Sequence, residues 1–194
     1  MNAKAVLTAA AAKVAGSLKA HGFERRGLKF VKACEGIVSL VELQPSRASA
    51  PEQLLFVINF GVVVRALFAG DNLKPDYGGC HWGGRVSGKD GAEIWWPVRA
   101  DDDVQPLAAH VTSLMDQEVL PALNAKQREE DLIVLWKTGQ SPFLVDSQRL
   151  LYLGTLLHRA GRRDEFEQTK AELERKATTP FSLRALQKLQ ELDG

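Results

Sequence analysis

The chain has 194 residues, 25 basic and 24 acidic, with 45% hydrophobic content; that composition fits a globular core needing no covalent or metal staple. A formal net charge of +1 gives no bulk attraction to nucleic acid or to an acidic membrane. Two cysteines, Cys34 and Cys80, make no disulfide framework, and no apolar run approaches the roughly 20 residues that span a bilayer; the expectation is a cytoplasmic protein with both thiols free and no membrane partner.

Residues 3–21 predict a first helix. Leu7, Ala11, Val14 and Leu18 recur at helical spacing, and Gly22 supplies a stop. The run AVLTAAAA near the start is interrupted by Lys13, so it is read as helix and not as an export signal. Residues 1–34 carry seven basic residues against Glu24 alone, which is read as a solvated patch before a phosphate-binding arm. LKFVKAC (28–34) and IVSLVELQ (37–44) predict two strands joined by a tight turn at Glu35-Gly36. LLFVINFGVVVRA (54–66) is apolar almost throughout, which predicts a central strand covered on both faces. A loop rich in turn formers follows to Cys80, expected to lie over the next strand.

HWGGRVS and EIWWPV predict a pair of strands around a turn at 88–91, with Pro97 at an edge. Asp101-Asp102-Asp103 then caps a helix that carries Val104, Leu107, Val111 and Leu114, and Pro121 marks its kink or end. Beyond residue 126 only helical signals remain. Asp146 and Thr179-Pro180 open helices, and Gly161 closes one. The fold expectation is therefore α+β. An antiparallel sheet of about five strands packs with the N-terminal and following helices over 1–126, and an all-helical extension of helical hairpins covers 127–194.

Several motifs invite chemistry. Gly83, Gly88 and Lys89 have the spacing of a phosphate-binding loop, but Asp90 stands where a hydroxyl is needed, and a strand follows where a helix should open. Cys80 and His81 are adjacent, so in an extended chain they point to opposite faces and make a poor nucleophile–base pair. No His lies near another and the cysteines are far apart, so no metal site and no cofactor is expected. The polar residues inside strands are more informative. Gln44, Asn59 and Arg85 need partners if buried. Arg85 beside tryptophan can stack while presenting its fork to a carboxylate or phosphate. With His81, Trp82 and Trp96 they form the candidate binding set, weighed against a purely structural hydrogen-bond network.

The order of these elements resembles a bacterial family of unknown function, number 4304. The resemblance rests on Gly22-Phe23-Glu24-Arg25-Arg26, Phe30, and the strand ending Gln44-Pro45-Ser46-Arg47. It continues through Phe56, Asn59 and Gly61, then Trp82, Arg85 and Val86, and finally Trp95-Trp96. It covers roughly residues 10–125 and implies a small α+β domain on an antiparallel sheet; it implies no reaction.

The functional expectation is a non-catalytic binding module for an unknown protein or small acidic ligand. The alternative is a hydrolase acting on a phosphorylated or nucleotide-like substrate through Arg85 and a histidine. A weak nucleic-acid binder is a third reading, against which the near-neutral charge speaks.

Overall fold

The computed structural model describes residues 2–50, 52–68, 75–88 and 90–193. Lys89 and most of the loop after Phe68 lie outside the described residues, and with them part of the predicted 88–91 turn. The first helix, α1 (Ala3–Lys19), is capped by Asn2, whose side chain accepts the Ala5 N–H at 2.8 Å. Its apolar stripe is fully buried, and Gly22 ends the turn at φ +84°, a left-handed conformation that other residues adopt at a cost.

The sheet follows. β1 (Glu24–Arg26), β2 (Lys29–Ala33), β3 (Ile37–Pro45) and β4 (Gln53–Val64) form an antiparallel meander. β1 was not anticipated, because its three charged residues carry no strand signal; pairing with β2 holds it. β4 is central as expected, and the apolar run makes sense because both its faces and both its edges are covered.

The far edge of β4 corrects the expectation of a paired ribbon. β5 (Trp82–Arg85) pairs with Asn59–Val62, and β6 (Trp96–Arg99) pairs with Gln53–Phe56. The two strands run in line along one edge of β4, and the stretch between them folds back on itself at the Ser87–Glu93 bridge. The intervening residues loop out as a tight excursion, closed by Gly88 N–H to Ala92 C=O and Gly91 N–H to Gly88 C=O, each 2.8 Å. The physical reason is the length of β4: twelve residues offer room for two short strands end to end, and its hydrogen bonds outweigh a local hairpin.

Register assigns the faces. Phe56, Ile58, Val62 and Val64 on β4, Val41 and Leu43 on β3, and Trp82 and Trp96 on the edge strands turn toward α1. α2 (Val104–Leu114) packs beside α1. It continues through a π-helical turn (Met115–Val119) into α3 (Leu120–Asn124). Pro121 explains the irregularity: it has no N–H to give, and the widened turn sends the Leu120 N–H five residues back to Met115. The chain therefore passes Pro121 without ending.

Four more helices follow: α4 (Glu129–Lys137), α5 (Asp146–Arg159), α6 (Arg163–Lys176) and α7 (Pro180–Glu191). Ion pairs pin them. Arg162 reaches Glu130 and Glu165, and the buried Arg149 is satisfied by Asp146 and the Trp136 carbonyl. One continuous apolar cluster runs from Ala3 on α1 to Leu189 on α7. α5 packs on the turn Arg65–Leu67 that ends β4. No helix among the described residues is long and apolar enough to cross a membrane.

Candidate functional site

The second face of the sheet carries the alternate residues of the same strands. Toward the Val63 end of β4 it is apolar. Val38, Leu40, Val63 and Cys80 cluster under Tyr77 and Phe143, whose rings meet edge-on at 5.2 Å. This half is why glycine stands at 61 and 83. A Cβ on Gly61 would lie 2.6 Å from the Trp82 carbonyl and 2.8 Å from the Cys80 sulfur, and one on Gly83 would lie 2.8 Å from the Phe60 carbonyl.

Toward the other end the face turns polar. Lys29, Glu42, Asn59 and Arg85 are direct cross-strand neighbours, one on each of β2, β3, β4 and β5. Lys29 and Glu42 pair at 3.7 Å. Asn59 is fully buried. Its carbonyl oxygen accepts the Arg85 Nε–H at 2.8 Å, and its amide donates to Gln44 Oε1 at 2.5 Å. Both ends of the carboxamide are used, so the side chain cannot turn without losing a bond, and it fixes the plane of the guanidinium.

Arg85 then faces outward. Its Nη1 pairs with Glu93 from the looped-out excursion. The other oxygen of Glu93 accepts the Trp95 indole N–H at 2.8 Å, and the guanidinium carbon stands 5.8 Å from the Trp95 ring. The arginine side chain is 27% exposed and Glu93 is 48% exposed, so the buried network ends in a cation whose outer contact is with solvent-facing groups.

The charges around this row leave their mark on its titratable neighbours. Burial pushes the Cys80 thiol up to about 12; Asp76 and Glu42 add to the rise, and Lys29 opposes it. A thiolate at Cys80 is therefore absent at neutral pH, and the nucleophile reading has no reactive sulfur. Burial also raises Tyr77, against the pull of Arg85.

The structure brings together three of the six residues singled out from sequence: Gln44, Asn59 and Arg85. The other three lie elsewhere. Trp82 and Trp96 turn to the opposite face, where Trp82 packs on Phe60 at 6.0 Å and Trp96 on Phe56 at 5.7 Å. His81 is buried where α5 meets the sheet. Its Nδ1 accepts the Val64 N–H at 2.9 Å, its ring meets Tyr152 edge-on at 4.8 Å, and burial lowers its pKa to about 4. Of the other histidines, His110 stands against Trp96 and His158 against Phe166. Gly83–Gly88 opens no helix, since β5 runs directly into the excursion. Among the described residues no cluster of His, Cys, Asp or Glu has a metal-ligating arrangement.

Lys29 and Glu42 belong to the row, and Glu93 and Trp95 extend it beyond Arg85; none of the four was among the six candidates. One signal was present: Glu93 and Trp95 are two apart in an extended stretch, which puts both on one side. Lys29 and Glu42 needed the register, which their own sequence does not encode.

No curated protein and no solved structure matches this chain. The profile of one family does, over residues 14–125, more than half of the chain. That span holds the sheet, the polar row and the π-turned helix, so the chain belongs to the family described as Domain of unknown function (DUF4304).

Proposed function

We propose that this protein is a non-catalytic binding module that recognises an acidic group, on a protein or a small ligand, through Arg85 and the polar row of the sheet. One observation carries the reading. The guanidinium is oriented from behind by a fully buried Asn59 and is met in front by the exposed carboxylate of Glu93. An arginine pre-oriented in this way loses less conformational freedom when it takes up a carboxylate or phosphate. Trp95, 38% exposed, adds a flat contact beside it. The histidines favour this reading over a hydrolase: His81 spends its Nδ1 on the Val64 N–H and packs on Tyr152, His110 stands against Trp96 and His158 against Phe166.

The test is affinity capture from a lysate with wild-type protein and with Arg85→Ala, each first shown to be folded by circular dichroism. The expected result is that a partner or acidic ligand held by the wild type disappears from the variant. A folded Arg85→Ala protein that keeps every partner removes Arg85 from recognition.

A further inference from the structure

Arg85 is not vacant; its outer contact is Glu93, a residue of its own chain. We propose that Glu93 is an internal stand-in for the ligand's acid, and that binding proceeds by exchange of one carboxylate for the other. The proposal rests on the reading of Arg85 as an acid-recognition residue, and it adds how that site is regulated.

Three features support exchange over a permanent structural pair. First, Glu93 spends its two oxygens on groups that a ligand carboxylate would want: one on the guanidinium and one on the Trp95 indole N–H. A carboxylate arriving at Arg85 meets the same two donors at the same spacing.

Second, Glu93 belongs to an excursion that the sheet does not hold. Among the described residues its backbone bonds are internal: the Ser87–Glu93 bridge, Gly88 to Ala92, and Gly91 to Gly88. The sheet anchors lie at its ends, where the Val86 N–H reaches Ile58 C=O at 3.0 Å and Trp96 pairs with Phe56. Displacing the Glu93 side chain therefore breaks no sheet hydrogen bond. Ala92 and Glu93 are exposed, and an exposed ion pair contributes little to folding.

Third, the excursion is not needed to orient Arg85. That is done by Asn59 and Gln44 from the opposite side, so the guanidinium stays aimed when Glu93 leaves. Lys29 is answered by Glu42 within the sheet, whereas the partner of Arg85 lies outside it. The ligand chemistry that follows is a carboxylate on an extended, solvent-accessible group, such as an acidic side chain of a peptide.

The experiment uses fluorescein-labelled hexaglutamate as the probe, followed by anisotropy at low salt. The proteins are the wild type, Glu93→Gln, Glu93→Ala, Arg85→Ala and Arg85→Lys. Exchange predicts that both Glu93 variants bind the probe more tightly than the wild type, by roughly twofold to fivefold, since a competing ion pair has been removed. It also predicts that Arg85→Ala does not bind, and that the probe shifts the Trp95 indole N–H resonance in the wild type, assigned with Trp95→Phe. If the wild type and both Glu93 variants bind equally while Arg85→Ala does not, acid recognition stands and exchange is wrong. If none of them binds, acid recognition at Arg85 falls, and exchange falls with it. Binding that survives in Arg85→Ala places the probe elsewhere and overturns both.

Discussion

The face of the sheet that meets α1 and the face that carries Arg85 alternate along the same strands, yet their side chains are satisfied in different ways. On the α1 side Phe30, Phe56, Ile58 and Val62 reach full burial by contact alone, and any comparable apolar residue serves if the volume is kept. On the other side Asn59 reaches the same burial by hydrogen bonds at both ends of its amide. Only a side chain with a donor and an acceptor in that position completes the row. The first face is held by close contact, and the polar end of the second by particular hydrogen-bond partners.

The contrast breaks most severely at Phe56. Its deletion to Ala should cost about 3–5 kcal/mol, because the cavity lies among packed side chains that cannot collapse into it. Urea unfolding measures this; a loss under 1 kcal/mol would mean that the α1 face is not the stabilising one.

His81 comes next and sharpens the comparison at the border of the two faces. Its pKa falls from 6.5 to about 4 on folding because burial penalises the imidazolium. Between those values the unfolded chain holds a proton that the folded chain lacks, so stability is complete above pH 6.5 and declines as pH falls toward 4. The full excursion is worth about 3 kcal/mol. Unfolding midpoints from pH 7.5 to 4 should fall more steeply for the wild type than for His81→Gln. Parallel curves would show that His81 carries no such linkage.

Asn59→Ala gives the smallest change in folding, about 1–3 kcal/mol, because it strips the Arg85 Nε–H and Gln44 of their shared partner. Its effect on recognition should exceed its effect on folding: capture of whatever Arg85 binds should weaken even where the protein stays folded. Equal losses of fold and capture would reduce Asn59 to a structural residue.

Much of the architecture was legible locally. The α1 stripe, the central apolar strand, the turn at Gly36 and the Thr179-Pro180 start of α7 follow from periodicity and from residues with special backbone needs. The site was legible only in part. Gln44, Asn59 and Arg85 stood out as polar groups inside strands, since burial obliges them to find partners. The tryptophans misled, because a large aromatic fits either side of a pleat and its spacing does not say which side is open. Trp95 and Trp96 are adjacent, and one joins Arg85 while the other is packed on Phe56.

The sequence by itself determined most of the elements: where helices begin, where β2, β3 and β4 run, and which polar residues needed an answer. Those properties depend on neighbours within a few positions, through backbone conformation and period. The tertiary structure alone decided that β5 and β6 share one edge of β4, that Lys29, Glu42, Asn59 and Arg85 fall in one row, and that Glu93 closes on Arg85. Register and strand order are settled by the hydrogen bonds and burial of the assembled sheet, which join residues as far apart as 29 and 85, and no local rule reaches that distance.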